Sequence, residues 1–282
     1  MKDLIISSIS KNYTWNEIKI WVSSLKKTGY SGDILFFCYN FDGSEELLGK
    51  LKEAGIEIVI PNNTYHGVEC GDFVFDSGLC TKENSHKVIH NVRFFHAWQY
   101  LQECQTEYNR VINTDIRDIV FQLNPAAWLN ENLKNKILAP CEEVLYKNQN
   151  WNIQNSIRSF GPYVYSYLLM EKFVCNAGSF VADFETYKTI CLVNYLMSCN
   201  TGINADQAGF NVLLNSVFKG MVQLARMEDG WAFQAGAPES PQNYYEVENG
   251  IVVTKVSKRP YCLLHQYERI PELNKIVRAK YE

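Results

Sequence analysis

The chain of 282 residues is 46% apolar and 21% charged, with a formal net charge of −4. Such values are ordinary for a soluble globular protein, allow one large α/β domain, and disfavour a general nucleic-acid binder, which would carry a basic face. Residues 2–10 lack the apolar length of a signal peptide and no later segment is an uninterrupted membrane span. The nine cysteines are odd in number, scattered and without a C-x-x-C pair, which fits buried thiols in a reducing cytoplasm rather than a zinc ribbon or a disulfide scaffold.

In chain order, residues 4–9 form a short apolar strand, and Ile18, Trp21, Val22 and Leu25 fall at helical spacing over 15–27. A second strand spans 33–39. Residues 44–54 form a helix that Ser44 would cap and Gly55 would end, ahead of a third strand at 56–60. This β-α-β-α-β alternation predicts a parallel sheet with helices on its faces. Neither G-x-G-x-x-G nor G-x-x-x-x-G-K-[ST] occurs, so dehydrogenase and P-loop chemistry are disfavoured.

Residues 61–85 form a long polar and aromatic excursion holding His66, Asp72 and Asp76, the length of a functional or mobile loop. Cys70 and Cys80 flank glycines there and would pair only in an oxidising compartment. A helix over 85–104 carries Asn91, Arg93, His96 and Trp98 and leads into RVINTDIRDIVFQ, residues 110–122. Val111 and Ile112 read as a central strand whose far end carries Asp115 and Asp118 around Arg117. Open α/β sheets bind ligands beyond the carboxyl ends of their strands. Two adjacent carboxylates repel unless a cation joins them, and Mg²⁺ is commonly held by one or two carboxylates plus substrate phosphates. A metal–diphosphate site is the sharp expectation; the plain alternative is a turn in which one aspartate pairs with Arg117.

A short helix follows at 125–133 and a strand at 136–140. The aromatic stretch 151–173 reads as one or two helices that cover a cleft or pack in the core. Residues 173–182 read as one strand containing Asn176-Ala177-Gly178, where the glycine permits a bulge or a close backbone approach. Further helices are expected over 184–197 and from Asp206-Gln207, with late strands at 221–226, a hairpin around Glu248-Asn249-Gly250, and a strand at 261–264 before His265 and a helix from Pro271.

In this order the residues resemble a glycosyltransferase of the GT-A type, over most of the chain. Asn91 to Leu101 is similar to the helix that precedes the metal motif in glycogenin-like and bacterial lipopolysaccharide sugar transferases, with Arg93 at the donor-contacting arginine. Thr114 to Asp118 stands at the Asp-x-Asp motif, Asn176-Ala177-Gly178 at the Asn-x-Gly strand facing the transferred sugar, Asp206-Gln207 at the Asp-Gln pair, and His265 at the C-terminal histidine that returns to the metal.

The resemblance implies a single GT-A-like α/β domain with a central, mainly parallel mixed sheet. Residues 1–124 would bind the nucleotide sugar, and 125–282 would bind the acceptor and supply the metal-binding return. It implies Mn²⁺ or Mg²⁺ at Asp115, Asp118 and His265, and a UDP- or GDP-sugar held by Arg93, Asp115, Asn176, Gly178 and Gln207. Asp206 and Arg117 would be catalytic, the acceptor a glycan, glycolipid or glycoprotein, and a homodimer is open; glycogenin-like enzymes lean towards retention of configuration.

The departure is Arg117, where the usual motif has a carboxylate. Asp118 in an altered register, Asp115 with His265 alone, Arg117 replacing part of the ion's charge, and Asn113 to Asp115 as the motif all remain open. Each residue also has a plain alternative: Asp206 as a helix cap, Arg93 paired with a helix neighbour, His265 structural, Arg269 in a salt bridge of the last helix. The competing functions are a catalytically inactive nucleotide- or glycan-binding domain and a nucleotidyltransferase of related fold.

Overall fold

A computed structural model describes residues 1–41, 45–62, 64–65, 68–69, 71–75 and 79–282, the side chains of 64–65 and 68–69 excepted. Ser44, His66, Cys70 and Asp76 lie outside the described residues.

The first half alternates as its periodicity predicts: β1 (Leu4–Ser10), α1 (Trp15–Lys27), β2 (Asp33–Tyr39), α2 (Glu45–Glu53) and β3 (Glu57–Val59). Where α1 begins, Glu17 accepts hydrogen bonds from the Thr14 backbone N–H at 2.8 Å and its hydroxyl at 2.9 Å, satisfying an otherwise unpaired donor. Two-residue strands β4 (Thr64–Tyr65) and β5 (Val68–Glu69) make a small ribbon, and α3 (Ile89–Glu103) leads into β6 (Arg110–Asn113). Next come β7 (Ile119–Phe121), α4 (Pro125–Asn132), β8 (Ile137–Leu145) and α5 (Asn150–Val164), which breaks at Gly161, where φ is +83°. β9 (Phe173–Cys175), β10 (Val181–Asp183), α6 (Phe184–Ser198), α7 (Asp206–Asn215), β11 (Val222–Ala225) and β12 (Ala232–Gln234) follow. The hairpin β13 (Tyr245–Glu248) and β14 (Ile251–Thr254), then β15 (Leu263–His265) and α8 (Pro271–Tyr281), finish the chain.

The main sheet runs β11-β8-β10-β6-β1-β2-β3, with β9 also paired to β8. Its ladders are parallel except where β10 lies antiparallel between β6 and β8 and where β9 pairs antiparallel with β8. Side-chain alternation divides each central strand between two cores. Leu4, Ile6, Leu35, Phe37 and Val111 pack beneath α3, α6 and α7, whereas Ile5, Ile9, Phe36, Cys38 and Ile112 pack with Trp21 and Leu51 of α1 and α2. Each fully buried side chain of this size contributes about 1.5–3 kcal/mol relative to exposure.

Two expectations need correction. Residues 173–182 are two strands, because the Asn176 side chain accepts the Gly178 N–H at 2.7 Å and turns the chain between β9 and β10. A small second sheet, β12-β15-β7, was not foreseen. Its three-residue strands are too short to give a period, and β12 was not recognised at all. No described helix is long and apolar enough to cross a membrane.

Candidate active site

At the carboxyl end of β6 the backbone stays pinned on both sides. Thr114 N–H donates to Ile6 C=O at 3.0 Å and Asp115 N–H to Gly178 C=O at 2.7 Å. Ile116 then turns into the core, 2% exposed, leaving Arg117 on the surface and returning Asp118 beside Asp115. The carboxylates therefore pair at a spacing of three across a turn, not at a spacing of two along an extended chain. Asn113 is no ligand: its amide N–H donates to Ala177 C=O at 2.9 Å and its carbonyl accepts the Tyr187 hydroxyl at 2.9 Å.

The small sheet brings the third member. His265 pairs opposite Ile119 across the β15–β7 ladder, and Gln266 N–H donates to Asp118 C=O at 2.7 Å. His265 is 1% exposed; its Nε2 lies 3.6 Å from Asp115 and 3.5 Å from Asp118. The three ligand atoms lie within 4.8 Å of one another. His265 Nδ1 is 2.7 Å from Oε1 of Gln234. An amide oxygen accepts only, so the proton sits on Nδ1 and Nε2 faces the carboxylates. Gln234 is itself set by donating to the Ser179 hydroxyl at 3.1 Å. Burial disfavours the imidazolium, but Asp118 and Asp115 outweigh it and raise the His265 pKa to about 10.

This set fits a divalent ion: two carboxylates and an imidazole converge, and the buried Nε2 has no hydrogen-bond partner. Gly178 completes the fit, because a Cβ there would collide with the Asp115 carboxylate. The glycine thus makes room for a ligand side chain of this chain.

Arg93 crosses from α3 to bind Asp115 at 2.6 Å and Asp206 at 3.0 Å. It pairs with no neighbour on its own helix, and Asp206 is the first residue of α7 rather than its cap. Burial alone would lift the Asp115 pKa; Arg93 and His265 hold it well below the usual carboxylate range. Arg117 is exposed and makes no ion pair among the described residues, so the turn reading with an Asp–Arg117 bridge does not hold. It lines a crevice with Ser8, Ile9, Tyr13, His90 and Asp115, at the ends of β1 and β6 where the sheet order reverses. Tyr13 and His90 were missed as lining residues. A solitary aromatic in a polar loop after the first strand was the available signal.

Beside this corner lies a cavity of about 410 Å³ lined by Glu142, Gln149, Asn152, Asn176, Gln207 and Arg269 among others. Asn176 donates to Glu142 at 3.0 Å and to Gln207 at 3.4 Å, and Gln207 donates to Asn152 at 3.3 Å. Glu142, 6% exposed, was also missed; burial raises its pKa against the hydrogen bonds of Asn176 and Gln207. Arg269 precedes α8 and makes no ion pair among the described residues; its guanidinium donates to Gly236 C=O at 3.4 Å. The expected salt bridge within the last helix is not formed.

The main sheet is thus mostly parallel, with β10 inserted antiparallel beside the acidic strand β6, and the small second sheet brings His265 to the end of β6. No family model matches the sequence, and no curated protein matches it. Among solved structures, the galactosyltransferase LgtC in complex with donor and acceptor sugar analogues is similar over 98% of this chain and 95% of that chain, with a TM-score of 0.54 at 12% identity. An active-site mutant of LgtC gives a TM-score of 0.53 at the same identity and coverage. The chain has the GT-A fold of these glycosyltransferases as a single α/β domain.

Proposed function

We propose that this protein is a glycosyltransferase that moves a sugar from a nucleotide-diphosphate sugar to a glycan, glycolipid or glycoprotein acceptor with the help of Mn²⁺ or Mg²⁺. The supporting observation is the convergence of Asp115, Asp118 and the unpartnered Nε2 of His265 at the sheet's carboxyl edge. Such an ion, when bound, supplies Lewis-acid stabilisation of the departing diphosphate.

The chain's own residues then divide the work. Arg93, committed to Asp115 and Asp206, fixes both carboxylates in place. Arg117, which lines the crevice and makes no ion pair among the described residues, clasps phosphate oxygens by bidentate contacts in this reading. Tyr13 gives an aromatic surface for the base, while Asn176 and Gln207 present amides to the hydroxyls of the transferred sugar. Asp206, held by Arg93 at 3.0 Å and followed directly by Gln207, orients the donor sugar in this reading. Residues 1–124 form the nucleotide-sugar half, and 125–282 the acceptor half with the metal-binding return.

A thermal-shift panel of nucleotides with and without Mn²⁺ tests the reading. UDP or GDP should stabilise the protein only with the ion, by about 2.7 kcal/mol at a hundredfold excess over Kd. No response to any nucleotide overturns it, and a metal-dependent response without hydrolysis of any nucleotide sugar indicates an inactive binding domain.

A further inference from the structure

We propose that the acceptor is an oligosaccharide of at least two units, laid across Trp151, with its terminal unit against Gln149 and Asn152 of the cavity whose Asn176 and Gln207 face the transferred sugar, and the next unit in a second cavity beyond the indole. The proposal rests on the glycosyl-transfer reading above and names the substrate class of that site.

Trp151 begins a stripe on α5: Trp151, Gln154, Asn155 and Arg158 stand at i, i+3, i+4 and i+7, on one face of the helix. That face is not a core face. Trp151 is 56% exposed, whereas Asn152 and Ser156, on another side of the helix, are buried. The stripe lines a cavity of about 340 Å³ together with Ile203 and Asn204. Trp151 also lines the 410 Å³ cavity of Glu142, Asn176 and Gln207, so one indole forms a wall of both. Each volume falls in the range of small-molecule sites, roughly 300–1,000 Å³.

The lining chemistry selects the ligand class. A pyranose has an apolar C–H face and a rim of hydroxyls, each able to donate and accept. An exposed indole offers a flat partner for the face, and amides offer paired donors and acceptors for the rim. Among the described residues, the second cavity carries amides in Gln154, Asn155 and Asn204 and no carboxylate. The Asn155 amide N–H donates to Asn204 C=O at 2.8 Å, which ties α5 to the segment just before α7. The first cavity continues the same polar line with the amides of Gln149 and Asn152, and Asn152 accepts from Gln207 at 3.3 Å where the transferred sugar is held.

The test measures binding of matched mono-, di- and trisaccharides ending in glucose, galactose or N-acetylglucosamine, by saturation-transfer NMR and tryptophan fluorescence, to the full chain and to Trp151→Ala and Trp151→Phe. Circular dichroism and melting temperature establish that the variants fold. In the wild type, affinity for at least one series should rise from mono- to disaccharide by about three- to tenfold, the scale of one aromatic contact. Trp151→Ala should abolish that increment and Trp151→Phe should restore most of it. Affinity independent of length, an increment that survives in Trp151→Ala, or no glycan binding by a protein that responds to UDP or GDP with Mn²⁺ overturns the proposal. Length-dependent glycan binding by a protein that responds to no nucleotide supports the subsite and overturns the transferase reading instead.

Discussion

The two ends of β6 both carry charge, and they handle it oppositely. At the start of the strand Arg110 donates to Asp3 at 2.9 and 2.7 Å and to Asn130 at 2.6 Å, with Asp3 5% and Arg110 8% exposed. That cluster is closed, since donors and acceptors are matched within it. At the other end Arg93 pairs with Asp115 and Asp206, but Asp118 and His265 add further charge, with Nε2 3.5 Å from the Asp118 carboxylate and no hydrogen bond closing the gap. Charge matched within the protein holds a fold together; charge left converging on a gap is arranged for something that comes from outside.

The largest expected effect separates the two ends by function. Asp115→Asn should lower turnover of the nucleotide sugar on the order of 10²–10³, the scale of losing one electrostatic stabiliser of a transition state; unchanged turnover would remove the metal assignment. The mirror experiment is Asp3→Ala, which leaves Arg110 buried without its counter-charge. It should cost about 3–5 kcal/mol in urea unfolding while Mn²⁺-dependent nucleotide binding survives below the transition. Loss of binding in a folded Asp3→Ala protein would show that the closed cluster also serves the site.

Smaller changes sharpen the open end. Gln234→Leu removes the acceptor that fixes the His265 tautomer, and metal affinity measured by calorimetry should fall about 10–100-fold. An affinity equal to wild type would detach His265 from the ion. The smallest effect is in pH. Because the carboxylates raise the His265 pKa to about 10, its imidazolium contributes stability to the metal-free protein that is complete below about 6.5 and fades as the pH rises through 10. An entering ion must displace that proton. Mn²⁺ affinity should therefore climb by up to about tenfold per pH unit near neutrality, with about one proton released per ion. Calorimetry in buffers of different ionisation enthalpy counts that proton, and a count near zero would contradict His265 as a ligand.

The N-terminal half was legible because its signals are local. Ile18, Trp21, Val22 and Leu25 repeat at helical spacing over α1, and the apolar β-branched run at Val111 and Ile112 marks a central strand. Asp115, Asp118 and His265 were each readable as candidates, but their union was not. The altered carboxylate spacing depends on Ile116 turning into the core, and His265 reaches the carboxylates through three-residue strands with too few residues to show a period. Gln234 and Ser179 left no sequence signal, since their roles are single hydrogen bonds made across more than 30 residues of chain. Glu142 was hidden for a related reason: at the buried end of β8 it reads as an ordinary acidic residue until Asn176 and Gln207 are folded against it.

By itself, the sequence determined the α/β alternation, the strand that ends in carboxylates and the inventory of groups able to hold a metal and a sugar, because periodicity and residue chemistry act over a few neighbours. Tertiary structure alone decided which carboxylates pair, that Gly178 leaves room for Asp115, that Arg93 bridges Asp115 to Asp206, and that Trp151 stands between two cavities. Those outcomes depend on contacts between residues far apart in the chain, whose distances are set only when the sheet and its flanking helices pack together.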